Sequence, residues 1–142
     1  MNCNIYQKIK HIGLSKKDIQ DIFFYTLKLL KVKKGEASIH LIGDLQMRNV
    51  NKKYCNTNKT TDVLAFAIQE GKKMDDIDLG DIFVSIPQVR RQAKENSIQY
   101  KGELVRVIAH GVLHLNGYDH VTKKEEKEMF SIQERVVKKF IL

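Results

Sequence analysis

HGVLHLNGYDH, His110 to His120, holds three of the chain's five histidines in one short stretch. Its apolar residues and those just before it, Leu104, Val107, Ile108, Val112 and Leu115, recur at helical spacing, which predicts a helix from about Lys101 to Asn116. On that helix His110 and His114 are i and i+4, so their rings leave the same face about one turn apart. Gly117 is placed to end the helix and, because glycine tolerates positive φ, to let the chain reverse so that His120 returns as a third ligand.

The spacing H-x-x-x-H-x-x-G-x-x-H is the one that extended zinc proteases use, except that Gly111 stands where they carry glutamate. Three neutral imidazoles leave the full +2 charge on a zinc ion and one tetrahedral position open. Such a zincin-like site lowers the pKa of a bound water toward ~7 and is catalytic in layout. Nickel and copper also suit three imidazoles, so the donor set alone does not select the metal. Gly111 can neither act as general base nor protonate a leaving amine, which weakens a peptidase reading. Cleavage of a phosphodiester asks instead for a metal to neutralise an oxygen and a cationic side chain to stabilise the transition state.

Working outward, Ser15 and Asp18 form a capping signal for a helix whose apolar residues, Ile19, Ile22, Phe23, Leu27 and Leu30, run until Gly35. A short alternating stretch near Cys3 to Ile9 reads as an edge strand, and residues 37–43, ASIHLIG, as a core strand. Asp44 is expected to cap a short helix over 45–54 with Leu45, Val50 and Tyr54 among its apolar positions. VLAFAI and LGDIFVSI read as further strands, separated by an acidic turn over residues 70–78. Pro87 fits the first turn of a helix over roughly 87–97, and a last helix runs from Lys123 to Phe140. No repeat or linker divides the chain, so residues 1–142 are read as one α+β domain.

Composition agrees. Hydrophobic residues make up 42% and charged residues 30% of 142, ordinary for a globular protein and unlike a disordered one. No apolar run approaches a membrane span, and MNCNIYQKIK lacks the apolar core of a secretory signal, so a cytoplasmic protein with no membrane association is expected. Cys3 and Cys55 are far apart and in no metal-ligand pair, which suggests two reduced thiols. The net charge of +8 favours polyanionic partners, nucleic acid first among them.

HGVLHLNGYDH, together with TDVLAF and LGDIF, resembles the YbeY family of bacterial metal-dependent endoribonucleases that mature ribosomal RNA. VNKKYC...TTDVLAF is similar to that family's L-N-x-x-Y-R-x-K-D-x-P-T-D-V-L-S-F, with Asn51, Tyr54, Thr61, Asp62, Val63, Leu64 and Phe66 in matching places. Gly80 to Ile82 and Glu103 also match. The resemblance implies a mixed four-stranded sheet with about five helices and one zinc ion held by His110, His114 and His120. It further implies cleavage of single-stranded RNA, with the 3′ end of the 16S rRNA precursor, the small ribosomal subunit and ribosome quality control as the setting.

The departures matter. Cys55 stands where the family has an arginine, and Thr57, Asn58, Thr60 and Ala65 replace its K, D, P and S. A thiol cannot supply a guanidinium's fixed charge or its fork. Lys59, in the matching loop, is the best-placed substitute and joins His114 as a candidate catalytic residue, ahead of Arg48, Lys52 and Lys53. Cys55 is otherwise a small half-buried thiol, or less readily a fourth metal ligand. Asp119 could hold a ligand imidazole in its tautomer or cap a turn; Asp62 and Asp81 could orient loops or lie in solvated turns. Arg90, Arg91 and Lys94 could steer RNA or form a solvated face, Lys123, Lys124 and Lys127 with their interleaved glutamates read as solvated surface, and His40 reads as structural. Three classes follow: a zinc-dependent endoribonuclease, a metal-stabilised RNA- or ribosome-binding maturation factor with weak cleavage of its own, and a metal-dependent peptidase or other small-molecule metal hydrolase, which contact of Asp119 or Glu103 with the metal-bound water would favour.

Overall fold

The computed structural model describes residues 2–68, 78–119 and 121–141. The elements run β1 (Cys3–Gln7), α1 (Lys16–Leu29), β2 (Glu36–Ile42), α2 (Asp44–Cys55), β3 (Val63–Ala67), β4 (Asp78–Ser85), α3 (Ile86–Glu95), α4 (Tyr100–Leu115) and α5 (Lys123–Phe140). The strands form one mixed sheet in the order β1-β2-β4-β3, with β1, β2 and β4 parallel and β3 antiparallel to β4. The α+β domain with four strands and five helices is thus as expected, and the acidic turn over 70–78 falls almost wholly outside the described residues.

Alternation along the strands sets the layers. Ala37, Ile39 and Leu41 of β2 and Ile82 and Val84 of β4 are buried, pointing to the face on which α4 lies with α1 and α3 beside it. Burying Phe23, Ile19, Ile108 and their neighbours on this face supplies the main driving force, at roughly 25 cal/mol per Å² of apolar surface. The opposite face carries a pile of rings: His40 lies between Tyr6 and Phe83, with centroids 5.0 and 4.3 Å away, and its Nε2 is 3.0 Å from Asp81 Oδ1. His40 is therefore structural, as read, although it lies on the open face and not in the core.

Gly80 explains the LGD sequence. Its φ is +128°, and a Cβ there would sit 2.0 Å from the carbonyl oxygen of Phe66, so only glycine lets β3 approach β4 at this point. Leu79 is the extra residue of a bulge, since Glu36 and Ala37 pair with Asp78 and Gly80.

The helix starts follow local chemistry, with one correction. Ser15 and Asp18 form the expected capping box at 3.0 and 3.1 Å. Asp44 does not cap α2: Gly43 is the N-cap, without a side-chain bond, and Asp44 is the first helical residue. Its carboxylate is drawn sideways by Arg91, which donates two 2.8 Å hydrogen bonds, and it also accepts from Ser85 Oγ and Thr60 Oγ1. Arg91, by hydrogen bonding and charge, holds the Asp44 carboxyl down to about 2. The apolar positions of α2 are also reassigned. Leu45 and Tyr54 are exposed, and Met47 and Asn51 are the buried residues, because the helix rests its other side on the sheet.

Candidate functional site

α4 is buried along Leu104, Val105, Ile108, Ala109, Val112 and Leu113, and this anchorage leaves His110 and His114 on its half-open face. The two rings lie nearly perpendicular, with centroids 4.3 Å apart, and their Nε2 atoms face each other at 2.7 Å. The Nδ1 of His110 donates to Gln133 Oε1 of α5 at 2.6 Å. An amide oxygen only accepts, so the His110 proton is held on Nδ1 and its Nε2 presents a lone pair toward His114. Two nitrogens at that distance repel unless a proton or a cation lies between them. On a shared tetrahedral zinc they would be about 3.3 Å apart, so a slight opening of the rings accommodates the ion. The donor set and the outer hydrogen bond both fit a metal.

Beyond the pair, Gly117 N donates to His114 O at 3.1 Å and Tyr118 N to Leu113 O at 3.0 Å, with Gly117 at φ +86°. This is a Schellman termination, and it turns the chain as the sequence predicts. His120, the expected third ligand, lies outside the described residues. Among the described residues no group of three His, Cys, Asp or Glu gathers around an ion position.

Gly111 acquires a physical role. A Cβ there would meet Ile82 Cγ2 at 2.9 Å and Val63 Cγ2 at 3.2 Å, so the glycine lets α4 press against β4 and β3. A side chain at the position of the protease glutamate would run into the sheet. Glu103 is likewise committed elsewhere: it is buried and accepts from Arg106 Nη1 at 3.0 Å. Arg106 also donates to both carboxylate oxygens of Glu134, at 2.7 and 2.9 Å, bracing α5 against α4 one turn from the His110–Gln133 contact.

A cleft of about 580 Å³ opens beside His110, with Gln133, Met129, Phe130, Lys123 and Lys127 of α5 among its walls. Gln133, Phe130 and these two lysines were not legible as site residues. Lys123 and Lys127 read as part of a solvated charge run, yet the fold places both in the cleft beside His110. The ordinary signal for such a groove, apolar residues exposed on a helix, required knowing that Phe130 is 59% exposed.

The remaining candidates divide. Lys59 is exposed, and its carbonyl is pinned by Asn51 Nδ2 at 3.0 Å. Cys55 is an exposed free thiol and not half-buried, because it ends α2 at the surface. Asp62 orients a loop, as read, accepting from Val63 N at 2.8 Å and from Gln92 Nε2 at 3.1 Å. Arg90 and Arg91 are structural tethers: Arg91 holds Asp44, while Arg90 stacks on Tyr100 at 4.0 Å and donates to the carbonyl of His11. No helix among the described residues is long and apolar enough to cross a membrane.

A mixed four-stranded sheet backing a helix that carries an i, i+4 histidine pair and ends in a Schellman turn defines a small α+β protein. The family model described as endoribonuclease YbeY matches residues 3–141, and the chain belongs to that family. It is 37% identical over 137 residues to the Lacticaseibacillus casei protein named endoribonuclease YbeY, covering 90% of this chain and 86% of that one. The protein of the same name from Acholeplasma laidlawii is 43% identical over 112 residues, 79% of each chain. The one from Sulfurihydrogenibium is 35% identical over 140 residues, 98% of this chain and 90% of that one. Among solved structures, the solution structure of a Thermotoga maritima protein superposes with a TM-score of 0.71 at 27% identity, covering 97% of this chain and 88% of that one.

Proposed function

We propose that this protein is a zinc-dependent endoribonuclease that cuts single-stranded RNA in the cytoplasm, acting on the 3′ end of the 16S rRNA precursor at the small ribosomal subunit. The observation that carries the reading is the His110–His114 pair, with Nε2 atoms 2.7 Å apart and His110, held by Gln133, lining a cleft that Lys123 and Lys127 also line. The names of the relatives supply the reaction class.

In this reading His110, His114 and His120 hold the ion. When bound, zinc supplies Lewis acidity, neutralising charge on a phosphate oxygen and making an attacking hydroxyl more acidic. The chain does the rest. Gln133 keeps the His110 lone pair on Nε2, so the ligand needs no tautomer change. Lys123 and Lys127 draw the RNA backbone along α5, consistent with a net charge of +8. Lys59 is the candidate cation for the transition state in place of the family's arginine.

The test pairs zinc content with a gel assay on labelled single-stranded RNA, before and after chelation, alongside His114→Ala. Stoichiometric zinc, with cleavage lost on chelation and in the variant, is the expected result. The exposed Cys55 favours a second reading, a metal-stabilised RNA- or ribosome-binding maturation factor with weak cleavage of its own. Zinc-loaded protein that cuts no faster than His114→Ala, and gains activity in Cys55→Arg, would favour it.

A further inference from the structure

Along α5, Lys123, Lys127 and Phe130 succeed one another at intervals of four and three residues, which places them in one row on the helix surface. All three line the cleft that contains His110. The row is unusual in composition: a large ring left 59% exposed in a cationic wall, above the buried floor of Met129. Phe130 is also three residues, about 4.5 Å along the axis, from Gln133, whose amide holds His110. An open aromatic face beside lysines, one turn from the candidate catalytic centre, matches unpaired RNA: bases stack on the ring and phosphates pair with the ammonium groups.

We propose that this wall of α5 is a nucleotide subsite, in which Phe130 stacks on the unpaired base next to the scissile phosphate while Lys123 and Lys127 hold the phosphates leading away. The inference rests on the endoribonuclease reading and adds to it a specificity device. A duplexed base is already stacked on its neighbours and cannot offer its face to Phe130, so the subsite selects single strands. Glu126, also in the wall, is an acceptor only; it repels phosphate and confines the backbone to the lysine row.

The experiment uses zinc-loaded protein and a single-stranded RNA with one cut site, in its intact form and with an abasic residue at either nucleotide flanking the cut. Binding is read by fluorescence anisotropy and cleavage on a gel. Phe130→Ala should weaken binding of intact RNA by about 5- to 150-fold, the range set by base–aromatic stacking, and Phe130→Tyr should keep most of it. On one of the two abasic RNAs, wild type and Phe130→Ala should be indistinguishable. Lys123→Gln with Lys127→Gln should flatten the dependence of log Kd on log salt by about 1.4.

A Phe130→Ala penalty that is absent on intact RNA, or equal on all three RNAs, overturns the subsite. Phe130-dependent, base-dependent binding without cleavage leaves the subsite standing and removes the endoribonuclease reading. Cleavage indifferent to Phe130 does the reverse, and a wild type that neither binds nor cuts sinks both.

Discussion

Gln133→Leu separates a histidine held as a metal ligand from one merely packed between helices. Gln133 is 8% exposed, and its Oε1 accepts the Nδ1 proton of His110 at 2.6 Å. Leucine of similar volume removes the acceptor and leaves a partly buried N–H without its partner, at about 1–3 kcal/mol. With a melting entropy near 2.1 cal/mol/K per residue, about 0.3 kcal/mol/K for this chain, that amounts to a fall in Tm of roughly 3–10 °C. The sharper effect is on the ring. Freed of Gln133, His110 can carry its proton on Nε2, where it blocks the lone pair facing His114, and zinc affinity should fall by about 10- to 100-fold. Nitrogen chemical shifts of the labelled imidazole report the tautomer in metal-free protein, and competition with a chromophoric chelator reports zinc. Wild type should show the Nδ1–H form and Gln133→Leu a mixture, while Gln133→Glu, which keeps an acceptor, should behave like wild type. An unchanged tautomer together with unchanged zinc affinity in a folded Gln133→Leu would refute the assignment.

Three further outcomes are expected. Because Arg91 lowers the Asp44 pKa from 3.8 to about 2, Asp44 contributes stability that is complete above about pH 4 and lost as pH falls toward 2. Arg91 is 45% exposed, which holds the contribution to about 1 kcal/mol, so the gap in urea midpoint between wild type and Asp44→Asn should be present at pH 7 and shrink at pH 3. Gly111→Ala gains about 1 kcal/mol of helix propensity but forces a methyl into contact with Ile82 and Val63, and should still lose about 1–2 kcal/mol in urea unfolding; a stabilised variant would mean that α4 does not press on the sheet there. His114→Ala should lose most bound zinc by elemental analysis, whereas His40→Ala, which breaks only the ring pile and the Asp81 contact, should retain it; equal metal in the two would remove the ligand assignment.

Much of this protein could be read residue by residue, and the failures have common causes. Helix α4 was visible because its apolar residues repeat at a helical period, and the same period put His110 and His114 on one face. The α1 cap was visible because Ser15 and Asp18 act on backbone groups three residues away. Asp44 was misread as a cap because its strongest partner, Arg91, is 47 positions on, and a bidentate guanidinium outweighs a local cap bond. Arg90 and Arg91 looked like a free cationic face for the same reason, their partners being far along the chain.

By itself, the sequence determined what depends on neighbours a few residues apart: the helices and strands, the histidine pair on a shared face, the turn at Gly117, and the family motif that contains them. Only the tertiary structure decided which residue stands behind His110, why Gly111 must lack a side chain, and that Lys123, Lys127 and Phe130 belong to the histidine cleft. The physical reason is range. Hydrogen-bond geometry and period act along the backbone within a turn or two, whereas Gln133 meets His110 across 23 positions only after α5 has docked on α4 and Arg106 has clasped Glu134.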